Sequence, residues 1–402
     1  MAQRSLLSSG PAPAPAVGPA LLAKGFRPFF LLAALHAVVM MPLWVLALRG
    51  TVSPGAYFGG TFWHAHEMLF GFALAVIAGF LLTAIGNWTQ KETAVGGLLA
   101  ALVALWLGGR FAVLFADRLP RPLPALLDLA FPPALALVCA RPILTTKNAR
   151  NYQFVAMLAL LFVANLMMHL GALRVVPGLE RKGAWLATYL VVLMIVVMTT
   201  RIVPMFTRNA TGEKSIENLP WLDRAAIAGV LLSALSDLFG LDERGVAGLS
   251  GLAGVLVLAR TARWGTLHTF RDPLLWILHL GHGFVAVGLV LRGVTLLTPA
   301  VSASTALHAL TAGGIGSLTL GMMARVALGH TGRMLAVRPV VALAFALMVA
   351  SALVRVFGPL GGSIAYRHSM TTAGVLFALA FLIYLVVYLP ILTAPRVDGK
   401  PG

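Results

Sequence analysis

Acidic side chains and cysteine are what this chain has least of. Only 13 Asp and Glu stand among 402 residues, and all charged side chains together make up 11% of the sequence, where a soluble domain carries about 25%. That scarcity excludes a water-soluble enzyme of two or three domains. The single cysteine, Cys139, lies in an apolar run. It rules out an intramolecular disulfide and every four-cysteine zinc or iron–sulfur centre. Basic residues are not scarce: 30 Lys and Arg leave a net charge of +17. A nucleic-acid site needs such residues clustered on one face or in a tail; here they are scattered between apolar runs, so no nucleic-acid partner is expected. What the chain does have is 59% hydrophobic residues, ten histidines and a mean hydropathy of +0.90.

Residues 1–24 alternate Pro and Ala and lack the apolar run of a cleaved signal peptide; they read as a disordered cytoplasmic tail. From Phe26 onward, apolar segments recur, each close to the roughly 20 residues that cross a bilayer. Twelve spans are predicted, at 28–48, 65–86, 94–115, 123–143, 152–173, 183–206, 219–240, 244–260, 273–296, 303–327, 337–357 and 371–394. The expected fold is an all-α polytopic membrane helix bundle, one domain over 25–395, with a short cytoplasmic tail at 396–402. Of the Lys and Arg, 19 fall on the amino-terminal side of the spans and 11 on the other, which places both termini in the cytoplasm. Twelve spans also describe many secondary transporters. A six-plus-six repeat would match span 2 to span 8, whereas span 2 most resembles span 10: each starts at a histidine and is rich in small residues.

An ionisable residue inside an apolar span is costly and marks a functional candidate. Trp63-His64-Ala65-His66-Glu67 opens span 2. On a regular helix, residues two apart point about 160° away from each other, so His64 and His66 serve one site only if the helix starts after them. The wheel aligns His64 with Glu67, Met68, Gly71, Ala75 and Ala78, a stripe that leaves room for a flat macrocycle or simply lets helices approach. In span 10, His308 aligns with Thr311, Thr319, Met322 and Arg325, and Gly313, Gly314, Gly316 and Gly321 thin the helix. Histidines facing each other across two helices can ligate haem iron from both sides. His279 and His282, at i and i+3, share one side of span 9, and His330 emerges on the same membrane face. Imidazole suits copper, iron and zinc alike; hydrogen bonding between helices is the alternative for that pair. His36 and His169 read as packing histidines, and His268 and His368 as loop residues. Arg201, beside Pro204 at the end of span 6, is either a membrane-surface anchor or a partner for buried carboxylates such as haem propionates. Arg325 is the better placed of the two for a buried partner. Asp128 either relays protons or pairs with Arg110.

Four segments together resemble the NnrS family: GFRPFF at 25–30, WHAHEMLFGFALAVIAGFLLTAIGNWT at 63–89, RIVPMFTRNA at 201–210 and HALTAGGIGSLTLGMMARVALGHTGR at 308–333. The likeness runs from about Lys24 to about Pro395; Gly86 stands where the family pattern carries a proline. The resemblance implies a multi-pass protein of the bacterial inner membrane that contains b-type haem and copper. Its expected role is in denitrification, nitric oxide metabolism and resistance to nitrosative stress. The implied partners are nitric oxide or its metal adducts, the lipid bilayer and a respiratory electron donor. Joined to the wheel geometry, it makes His64, His66, His308, Arg201 and Arg325 the candidate cofactor-binding residues. The candidate metal ligands are His64, His66, His279, His282, His308 and His330. Nitric oxide turnover as an enzyme, electron transfer and the clearing of iron–dinitrosyl species all remain open. A 12-helix transporter of an anion or metal ion is the alternative function, and an assembly partner for respiratory proteins a third.

Overall fold

A computed structural model of the chain describes residues 19–53 and 56–400. Residues 1–18 of the expected amino-terminal tail, and 401 and 402 of the carboxy-terminal one, lie outside the described residues. Ala20–Leu22 form one 3-10 turn, and Lys24 pairs with Glu92. The described residues contain no β-strand. The bundle opens with α1 (Phe26–Leu48), α2 (Gly60–Thr89), α3 (Gly96–Leu114) and α4 (Pro122–Thr145). It continues with α5 (Tyr152–Ala172), α6 (Leu179–Thr211), α7 (Pro220–Leu238) and α8 (Glu243–Ala262). It closes with α9 (Pro273–Leu297), α10 (Ala303–His330), α11 (Pro339–Phe357) and α12 (Gly362–Thr393).

Local chemistry sets the helix ends. Pro occupies the first helical position of α7, α9 and α11, where its missing N–H removes nothing. The Asp272 carboxylate caps α9 by accepting from Leu274 N at 2.9 Å, as side-chain oxygens do at helix starts. Pro204 does not end α6. The carbonyl of Thr200, which a proline four residues on cannot bond, accepts instead from Asn218 Nδ2 at 2.8 Å, and the helix runs on to Gly212 in the left-handed region at φ 71°.

Among the described residues, eleven helices are long and apolar enough to cross a membrane, so the chain is a multi-pass membrane protein. The remaining helix, α7, carries Asp223, Arg224 and Asp237, and two of those charges are matched inside the bundle. Asp223 lies 3.8 Å from Arg260 at the end of α8; Asp237 lies 2.8 Å from Arg292 near the end of α9. Its two ends therefore sit at opposite ends of the bundle, and α7 completes twelve crossings. An even number agrees with the meeting of the chain's ends: Arg27 at the start of α1 donates to the carbonyls of Leu392 and Ala394 at the end of α12, at 2.8 and 2.7 Å.

Helices α2, α6, α9 and α10 are the innermost, with most of their apolar stretches buried. Glycines permit the closest approaches: a Cβ on Gly254 of α8 would stand 2.7 Å from the Ala286 carbonyl of α9. Both α2 and α10 pack against α6 and α1, and both contain a π-helical segment, Glu67–Ala73 and Ala309–Gly316.

Candidate functional site

Each π segment begins immediately after a histidine, His66 in α2 and His308 in α10. A π segment wedges an extra residue into the helical ladder and re-aims the side chains around it; such segments occur frequently at functional sites. The wheel drawn for a regular helix is therefore displaced. In α2 the face below His64 consists of Met68, Leu69 and Phe72. Gly71 lies elsewhere, packed against the His36 ring, which leaves no room for a Cβ there. In α10 the face below His308 is Thr311, Ala312, Ile315 and Gly316, and the expected run through Thr319, Met322 and Arg325 turns away.

These two faces line one cavity of about 700 Å³, within the range of about 300–1,000 Å³ usual for sites that engulf a ligand. It lies at the end of the bundle opposite the chain's ends, and its walls are mainly apolar. The ring of His64 stacks on Trp44, with centroids 4.6 Å apart and planes 6° from parallel. His308 Nδ1 lies 2.7 Å from the Ser304 carbonyl oxygen. Because a carbonyl only accepts, Nδ1 carries the proton and Nε2 keeps its lone pair. Ser304 in turn accepts from Arg355 Nη2 at 2.7 Å.

Because α2 starts at Gly60, before both histidines, His64 and His66 do not share a site. His66 points into a separate, fully buried polar cluster. Its Nδ1 lies 3.0 Å from Glu67 Oε1, and its Nε2 lies 3.1 Å from Asp128 Oδ2 and 3.0 Å from Asn165 Oδ1. His169 Nε2 reaches the same Asp128 oxygen at 2.9 Å, and Asn165 Nδ2 donates to it at 2.7 Å. Arg110 bonds both Glu67 and Asp128, so the pairing expected for Asp128 is present. One ligand atom from each of His66, Asp128 and His169 lies within 4.8 Å of the others. Tyr57 Oη sits 2.9 Å from His169 Nδ1; burial pushes that hydroxyl above its ordinary range, so it stays protonated.

Charge and proton counting identify what this cluster wants. Two carboxylates and one guanidinium leave it one positive charge short, and a buried imbalance of that kind is expensive. The His66 ring faces carboxylate oxygens from both nitrogens, yet a neutral imidazole has only one N–H. One monovalent cation, a proton or a metal ion, corrects both deficits.

The other sequence candidates lie away from the cavity. His279 Nε2 and Nδ1 are hydrogen-bonded to Thr207 and Thr266 at 3.0 and 2.9 Å. His282 Nε2 accepts from Arg260 at 2.7 Å, while Nδ1 meets Thr261 at 2.6 Å. His330 packs its ring near Phe26. Arg201 donates to Asn151 Oδ1 at 2.9 Å, and the Arg325 guanidinium lies over the Phe206 ring at 3.9 Å. None of these five lines the cavity. Sequence reasoning missed His169 and Arg355. The nearest signal for His169 was Asn165 four residues earlier, which places two polar side chains on one face of an otherwise apolar helix.

Among known proteins, the family model described as NnrS protein matches residues 20–396. No curated protein matches the chain.

Proposed function

The chain belongs to the NnrS family, and on that premise we propose that it is a haem- and copper-binding protein of the bacterial inner membrane that acts in nitric oxide metabolism, denitrification or resistance to nitrosative stress. The observation that carries this reading is a large cavity that takes one histidine from each of two helices. His64 and His308 would hold the haem. The haem would supply reversible capture of small apolar diatomic molecules, which partition into the bilayer.

The chain's own residues prepare the site. Ser304 fixes the tautomer of His308 and so presents Nε2 for ligation. Trp44 fixes the plane of His64. Met68, Leu69, Phe72, Ile315 and Phe377 keep water out, which favours an apolar diatomic over water as occupant. His66, Asp128 and His169 are the residues that fit copper. A cuprous ion in place of a proton gives the cluster its missing charge, and imidazole nitrogen is a ligand that copper favours. Tyr57 and Arg110 then orient His169 and Asp128 from behind. His279 and His282 stay outside this proposal because their ring nitrogens meet threonine hydroxyls and the Arg260 guanidinium, with no carboxylate among these partners to help hold a cation; between helices they act as cross-links.

The test is purification in detergent, followed by absorbance spectroscopy and elemental analysis. A Soret band and about one copper per chain support the reading, with His64→Ala and His308→Ala removing the band and His169→Ala removing the copper. A colourless, copper-free protein that is otherwise folded sinks it.

A further inference from the structure

Arg355 is a cation without an anion. It stands on α11 inside the membrane-spanning region, only 6% exposed, and its side chain contributes to the wall of the cavity that holds His64 and His308. Among the described residues no carboxylate pairs with it. Nη2 donates to Ser304 Oγ at 2.7 Å, and Nη1 has no hydrogen-bond partner. Of the other buried arginines, Arg110, Arg260 and Arg292 each lie within 4 Å of an Asp or Glu, Arg27 donates to two backbone carbonyls, and Arg325 lies over the Phe206 ring. The rest of the cavity wall gives no compensation. Its one acid, Asp237, is already engaged by Arg292, while Arg181 and Lys182 add further positive charge. A guanidinium cannot shed its proton, so at this depth its charge must be met by something that enters the cavity.

We propose that Arg355 is the carboxylate-binding residue of the cavity and receives a side-chain carboxylate of the porphyrin bound there. The inference rests on the haem reading of the cavity and adds an orientation to it. A macrocycle held from its two faces by imidazoles is free to turn about the axis between them, and a fixed guanidinium at the edge selects one setting. The planar fork of Arg suits a carboxylate better than the point charge of Lys does. Ser304 joins the two functions, since its carbonyl holds His308 and its hydroxyl holds Arg355. Arg201 and Arg325, the arginines that the sequence suggested for this task, lie elsewhere.

The experiment compares haem with haem dimethyl ester, in which both carboxylates are masked, titrated into the full-length protein purified without haem and followed at the Soret band. Wild type is expected to bind free haem roughly tenfold more tightly than the ester or better, the scale of a charge-assisted hydrogen bond. Arg355→Gln should bind the two forms alike, and Arg355→Lys should fall between. Equal binding of acid and ester by wild type overturns the inference without needing any variant, and so does a preference that persists in Arg355→Gln. Binding of both forms unaffected by His64→Ala and His308→Ala places the porphyrin elsewhere. That result removes the haem reading of the cavity and the inference with it, whereas equal binding of acid and ester removes the inference alone.

Discussion

At the scale of single residues, the two histidines of Trp63-His64-Ala65-His66-Glu67 show what a sequence can and cannot assign. Their spacing alone said that they would diverge on a regular helix, and they do: His64 faces the cavity and His66 the Asp128 cluster. Nothing local revealed their partners, because Arg110, Asp128, Asn165 and His169 come from α3, α4 and α5 and meet His66 only through packing. Asp128→Asn removes the charge on which both imidazoles and Arg110 converge. The variant should retain less than about a tenth of the wild-type copper, since loss of a residue that holds the metal costs at least the roughly tenfold that loss of an outer partner does. Tyr57→Phe leaves every charge in place and should weaken copper binding by about tenfold or more through loss of the bond to His169, as measured by competition with a chelator. Wild-type copper affinity in both variants would place the metal elsewhere.

At the scale of elements, helix positions followed from hydropathy to within about five residues, except that α12 starts at Gly362 rather than at 371, but the π segments did not. Hydropathy reports where a helix lies and is blind to one inserted residue; that residue rotates everything beyond it. This is why the stripe drawn below His64 through Gly71, Ala75 and Ala78 proved to face other helices. Deleting Ala312 should restore a regular ladder in α10 and turn His308 by about 100° relative to the remainder. The expected outcome is a membrane-inserted protein with normal helix content by circular dichroism and no Soret band. Retention of the band would show that the π segment does not position His308. Close contacts at glycine set a second expectation: Gly254→Ala forces a methyl against the Ala286 carbonyl and should destabilise the α8–α9 contact by about 1–3 kcal/mol, seen as a lower thermal transition in detergent.

At the scale of the whole molecule, fold class came directly from composition, since a chain with this little charge has no way to coat itself for water. The division of Lys and Arg between two sides added an orientation, and the structure supplies its geometric half: twelve crossings whose two ends meet at Arg27. Reporter fusions at both termini should accordingly be active on the cytoplasmic side, and termini on opposite sides would contradict the role given to α7. In that orientation the cavity would lie toward the outer face, at the depth where the sequence placed its first histidine pair. What remained hidden was the character of the two sites that the pair serves, one large and apolar and one small and charged. The central claim is that His64 and His308 hold one haem between them. The most direct measurement is the reduced-minus-oxidised absorbance spectrum of purified wild type, His64→Ala and His308→Ala at equal protein concentration. The account predicts a b-type haem spectrum in wild type that either substitution abolishes or converts to that of a five-coordinate iron; an unchanged spectrum in both variants would contradict it.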